Sequence, residues 1–163
     1  MNISKHMGEI RDVLTADETL LRLLYYRSNN LLDSPLDESK PNIIGSLEYW
    51  DIVEDRIKFT PTTKGFDNEE KCRVCFYADR RTGQYNKLFK IQNIKFDVLV
   101  HQDIHNVDLR MYTISERINY LLRNKKFSSF GAIKELTSDP IGQVAEGYYG
   151  YSTLYQFGEL YDK

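Results

Sequence analysis

The sequence has little of what staples, anchors or exports a chain. It holds two cysteines, Cys72 and Cys75, which excludes a disulfide scaffold. A lone C-x-x-C is at most half of a four-ligand zinc site, and the three histidines lie elsewhere, at His6, His101 and His105. On a strand, residues three apart face opposite sides, so the pair reads as two reduced thiols in a sheet. No run approaches the length of a transmembrane helix, and Met1 to Glu9 lacks a signal-peptide hydrophobic region, so no membrane association is expected. Charge of one sign is not in excess: 22 Lys and Arg face 24 Asp and Glu, a net of −2, which argues against a polybasic nucleic-acid binder. Phosphate-loop, dinucleotide, nucleophile-elbow and H-E-x-x-H signatures are all missing. There is no internal repeat and no low-complexity tract.

What is present fits one globular domain over residues 1–163. Apolar residues make up 41% and charged residues 28%. A chain of this length buries about 70% of its unfolded surface, enough for a core. Tyrosine is the outlier, with 12 copies against one tryptophan. The charges are also segregated. Residues 1–55 carry a net −6, residues 56–134 a net +8 and residues 135–163 a net −4. The ordinary reading interleaves these charges on the folded surface. The sharper reading is an acidic face that meets a basic face of a neighbouring copy.

Periodicity predicts a first helix from Ile3 to Leu14. Thr15-Ala-Asp-Glu18 has capping-box form, so a second helix is expected from Thr15 to Tyr26. Residues 28–52 carry Pro35, Pro41, Gly45 and several acids without strong periodicity, and read as an irregular segment. Strands are expected at 56–60, 72–78, 87–101, 132–136 and 149–157. Loops separate them at 62–70 and 138–142, with a hairpin turn at 79–83. Asn93 marks a bulge, because apolar parity switches there. Asp108 reads as the N-cap of a long helix to Asn124. The expected fold is therefore α+β: an antiparallel or mixed sheet of about five strands, two short N-terminal helices and one long helix packed on it.

Few residues point to chemistry. His101-Gln-Asp-Ile-His105 alternates two imidazoles and a carboxylate, which a strand would put on one side as ligands. With Asp97, Asp103 completes the best enzyme-like set, weighed against ordinary polar residues at a strand end. Arg80 and Arg81 at the expected hairpin tip offer a phosphate contact, but two arginines make a narrow basic patch. Tyr148, Tyr149, Tyr151 and Tyr155 suit base stacking or protein contact. No Arg or Lys lies between Glu135 and Tyr161, which favours protein contact. Leu47, Tyr49, Trp50 and Ile52 would anchor the irregular segment on the core or on a partner.

Several stretches together carry a family likeness. The N-terminus reads Ile10-x-x-Val-Leu14-x-x-Asp17-x-x-Leu20-x-x-Leu23-Leu24 and leads into the irregular segment. A long strand, Phe89 to His101, precedes a helix with Arg117-Ile118-x-x-Leu121-Leu122, and Gly147-Tyr-Tyr-Gly-Tyr151 to Phe157 closes the chain. Over roughly residues 3–160 this layout resembles the tail-terminator proteins of tailed bacteriophages, also called tail completion or head–tail joining proteins. Residues 28–52 and Thr62 to Glu70 have no counterpart in that pattern. The resemblance implies an α+β subunit of a ring, expected to be hexameric, that sits on the tail tube and stops its polymerisation. It implies contacts with the tail tube protein and with the neck or connector protein. DNA would pass through the lumen without sequence-specific binding. Catalysis, cofactors and metals would play no part, and the protein would be found in the virion neck after assembly in the host cytoplasm. The alternative assignments are a head-completion or connector adaptor on the portal, a small metal-dependent enzyme, and a host-directed binding module.

Overall fold

Asn2 starts the first helix: its side chain accepts the Lys5 N–H at 3.1 Å. The computed structural model describes residues 2–83, 89–128, 131 and 133–160. α1 (Ile3–Thr15) turns His6, Ile10 and Leu14 inward. α2 (Glu18–Tyr25) follows after a corner, as expected. Its cap is Asp17, whose carboxylate accepts the Leu20 N–H at 2.8 Å. The Thr15 capping box is therefore corrected. Ala16 keeps helical dihedrals, so Asp17 is the first extended residue, and the Thr15 hydroxyl donates back to the Arg11 carbonyl at 2.9 Å.

Residues 26–48 form no helix or strand. The irregular segment ends earlier than expected, because α3 (Tyr49–Arg56) takes its last residues. Ile52 and Arg56, four apart, supply the buried side of this helix. The expected strand 56–60 shrinks to β1 (Ile57–Lys58).

β2 (Cys72–Gly83) and β3 (Phe89–His101) pair antiparallel. The turn expected at 79–83 is strand instead, and the connection at 84–88 lies outside the described residues. The irregularity expected at Asn93 is real but sits on its partner. Ala78 pairs with Ile94 and Arg81 with Gln92, so Asp79 and Arg80 together oppose Asn93.

The expected long helix is present, and a further helix precedes it. α4 (Gln102–Asp108) ends where a cap was expected, and α5 (Arg110–Asn124) begins after Leu109, whose φ is +55°. β4 (Lys134–Pro140) runs through residues expected to be loop, while residue 132 of that expected strand is outside the described set. β5 (Tyr148–Leu160) completes the sheet in the order β1-β2-β3-β5-β4. Only β1 and β2 run parallel, so the sheet is mixed and the α+β class holds, with five helices rather than three.

The two faces of the sheet are unequal. Val74, Phe76, Phe96, Val98, Tyr155 and Phe157 pack with the leucines of α2 and the Ile114–Leu122 stripe of α5 into the main core. On the reverse face, Phe66, Cys75, Leu99 and Tyr148 form a satellite core under the loops at 62–70 and 141–147. Cys72 and Cys75 fall on opposite faces, as strand geometry requires.

Candidate functional site

The candidate set of His101, Asp103 and His105 does not come together. α4 begins at Gln102, so the strand-like alternation behind His101, Asp103 and His105 is absent. His101 caps α4, its Nδ1 accepting the Asp103 N–H at 3.2 Å. His105 turns inward, accepts the Met111 N–H at 3.2 Å, and is held below its ordinary pKa by burial. Asp97 lies on the reverse face and accepts hydroxyls from Tyr77 at 2.7 Å and Ser152 at 2.6 Å. Among the described residues, the groups brought within ligand distance are Glu70, His101 and Asp103. Two of the three already have partners: Arg27 pairs with the Glu70 carboxylate, and the Asp103 backbone N–H takes His101 Nδ1. Burial pushes the Cys72 thiol up to about 11 and raises that of Cys75, so neither offers a thiolate at neutral pH.

The contact candidates divide by burial. Tyr155 belongs to the main core. Tyr148 stacks on Phe66 at 3.9 Å and donates its hydroxyl to the Glu69 carbonyl at 2.8 Å. Both are covered by the chain itself. Tyr151 is half-buried against Tyr112. Tyr49 is half-buried and donates to the Thr15 carbonyl at 2.8 Å. Trp50, Tyr149, Arg80 and Arg81 are exposed, the arginines on the bulged stretch of β2 and not at a described tip.

The strongest surface feature is the segment from Ser28 to Trp50. Leu31, Leu32, Leu47 and Trp50 are exposed at 82%, 94%, 102% and 73%, and Leu36 and Ile44 are also exposed. The same segment turns its polar backbone inward. The Arg22 guanidinium, buried on α2, donates to the carbonyls of Asp37 and Lys40 at 2.9 Å each and to Asn42 Oδ1 at 2.6 Å. The Glu18 carboxylate accepts the Ile43 and Ile44 N–H groups at 2.7 and 2.8 Å. Tyr26 donates to the Pro41 carbonyl at 2.6 Å, and Lys40 reaches Asp33 at 2.6 Å. Pro35 and Ile43 are its buried anchors. The segment thus holds apolar side chains outward on a backbone fixed by buried polar groups.

A sequence model of the YomW family matches residues 17–157. The chain belongs to the YomW family. The match runs from the cap of α2 into β5, and so takes in the outward-facing segment, the whole sheet and α5. The chain is 26% identical over 165 residues to the SPbeta prophage-derived uncharacterized protein YomW of Bacillus subtilis (strain 168), a match that covers 94% of this chain and 95% of that protein. The YomW family is thus phage-derived.

Charge in this YomW-family chain is partly settled internally. Arg117 pairs with Asp17 at 2.7 Å, Lys71 and Arg73 with Asp55 at 2.9 and 3.1 Å, and Arg123 with Glu135 at 3.4 Å. Burial raises the Asp55 pKa, but the hydrogen bond and charge of Lys71, with Arg56 and Arg73, outweigh it and leave it lowered. Much of the segregation seen in the sequence therefore interleaves on folding. The exception is residues 28–55, with seven acids and one base, of which Asp37, Glu38, Glu48, Asp51 and Glu54 are exposed. Pattern reading missed the buried arginines Arg22, Arg56, Arg73 and Arg110. The signal was a lone arginine inside an apolar run, as in Leu20-Leu-Arg22-Leu-Leu24.

Proposed function

We propose that this YomW-family chain is a structural phage protein of the tail neck, which assembles into a ring, caps the tail tube and joins the tail to the head connector. The observation that carries the reading is the outward apolar segment, Leu31 to Trp50, pinned to α2 by Arg22 and Glu18. A large apolar side chain gains roughly 1.5–3 kcal/mol on full burial. A protein that holds several of them in solvent on a fixed backbone is built to associate. The prophage origin of its relative and the layout likeness to tail terminators support the neck as the place. A subunit of a closed ring needs two different lateral faces. Its work would be steric and positional, without cofactor or chemistry, and DNA would cross the lumen unread.

Negative-stain imaging of the purified protein, alone and with tail tubes, tests the reading. It predicts six-fold rings with a central pore that bind tube ends. A chain that stays monomeric both alone and with tubes overturns it. A ring of about twelve that ignores tubes moves the protein to the portal-bound connector class.

A further inference from the structure

The outward segment needs an occupied counterpart, and the chain offers one of matching chemistry. At the C-terminal end of α5 lies a groove of about 440 Å³. Leu122, Phe127 and Ile133 form its apolar lining, and Arg123, Lys125 and Lys126 line it with exposed positive charge. Arg123 is more than half exposed and meets Glu135 only at 3.4 Å. The groove thus has an apolar floor and a basic rim. The segment at 28–50 has apolar tips, Leu31, Leu32, Leu36 and Leu47, among the exposed acids Asp37, Glu38 and Glu48.

We propose that residues 28–50 of one copy dock onto the groove at the end of α5 of a second copy. The proposal rests on the ring reading for why copies associate, and names the two surfaces that do it. The segment cannot leave its own α2 without giving up the Arg22, Glu18 and Tyr26 hydrogen bonds, and none of the groove-lining residues takes part in them. The two surfaces share no residue, so the contact is head-to-tail and propagates from copy to copy. The apolar tips supply the affinity, while the acidic and basic rims set register and speed encounter.

Two exposed-site variants test it. Leu32→Asp with Leu47→Asp removes the segment's tips, and Lys125→Glu with Lys126→Glu inverts the groove rim. Each is expected to weaken self-association at least tenfold by sedimentation velocity, with an unchanged thermal melt. Lys125→Ala with Lys126→Ala is the milder groove control and is expected to weaken it in the same direction. Mixed together, the segment variant still has a groove and the groove variant still has a segment. The mixture should form one-to-one pairs and nothing larger. A groove variant that assembles like the wild type, or a mixture that stays monomeric, overturns the proposal and leaves the ring reading standing. A wild type that is monomeric alone and with tail tubes overturns both. Wild-type filaments without rings, with the mixture still pairing, support the docking and overturn the ring.

Discussion

Two stretches without helix or strand, the loop at 62–70 and residues 28–48, aim their apolar residues in opposite directions. The loop at 62–70 turns Phe66 inward, 5% exposed, onto Tyr148 and under the Arg73 guanidinium at 4.5 Å. Its polar residues face water, as loops normally do. The segment at 28–50 turns Leu32 and Leu47 outward and its backbone inward. A buried arginine helps to hold each. Arg73 donates to the Thr62 and Lys64 carbonyls at 3.1 and 2.9 Å, and Arg22 does the same work on Asp37 and Lys40. The same device thus serves two ends. One loop completes the fold, and the other presents a surface.

The largest expected effect separates those ends. Arg73→Met strips charged donors from the Thr62 and Lys64 carbonyls and one of several donors from Asp55, and should cost about 3 kcal/mol in a chemical melt. Arg22→Met should leave the core melt much closer to wild type and open residues 28–48 to limited proteolysis. Equal global losses for the two variants would erase the distinction between them. Next, Phe66→Ala should cost about 3 kcal/mol, whereas Leu47→Ala should stay within about 0.5 kcal/mol and reduce self-association instead. A large stability loss from Leu47→Ala would show that this side chain packs within its own subunit.

Acid sharpens the comparison further. The Lys40 hydrogen bond lowers the Asp33 pKa, and hydrogen bonds from Ser39 lower that of Asp37. A carboxylate lowered in the folded state stabilises above its unfolded pKa and loses that contribution as pH falls through the folded value. The Asn29 and Ser39 amides, which donate to these carboxylates, should therefore titrate by NMR with midpoints below 3.8. Midpoints above that value would mean these turns are not formed in solution. The smallest effect is a control. Leu109 is exposed but lies outside the segment, in a left-handed conformation. Leu109→Gly should stabilise by up to about 1 kcal/mol and leave self-association unchanged.

Much of the fold was legible because periodicity reports burial directly. The inward parity of β3 and β5 and the stripe of α5 follow from apolar spacing alone. What periodicity could not show was how polar groups terminate elements. Asp17 rather than Thr15 caps α2, and Leu109 rather than Asp108 stands before α5, whose first residue, Arg110, turns in to reach the Leu23 and Tyr26 carbonyls at 2.7 and 2.6 Å. The contact surface was half legible. Trp50 and the irregular acidic segment stood out, but Tyr155 and Tyr148 did not announce their burial, since tyrosine suits a core and an interface alike. Leu31 and Leu32 carried the missing signal: paired leucines among breakers, with no helix or strand period to take them inside.

The account turns on whether the outward segment is what joins copies of this chain. Native mass spectrometry of the wild type beside Leu32→Asp/Leu47→Asp, at one concentration and ionic strength, measures this directly. The account predicts a closed oligomer for the wild type and a folded monomer for the variant. Identical assemblies for the two proteins would contradict it.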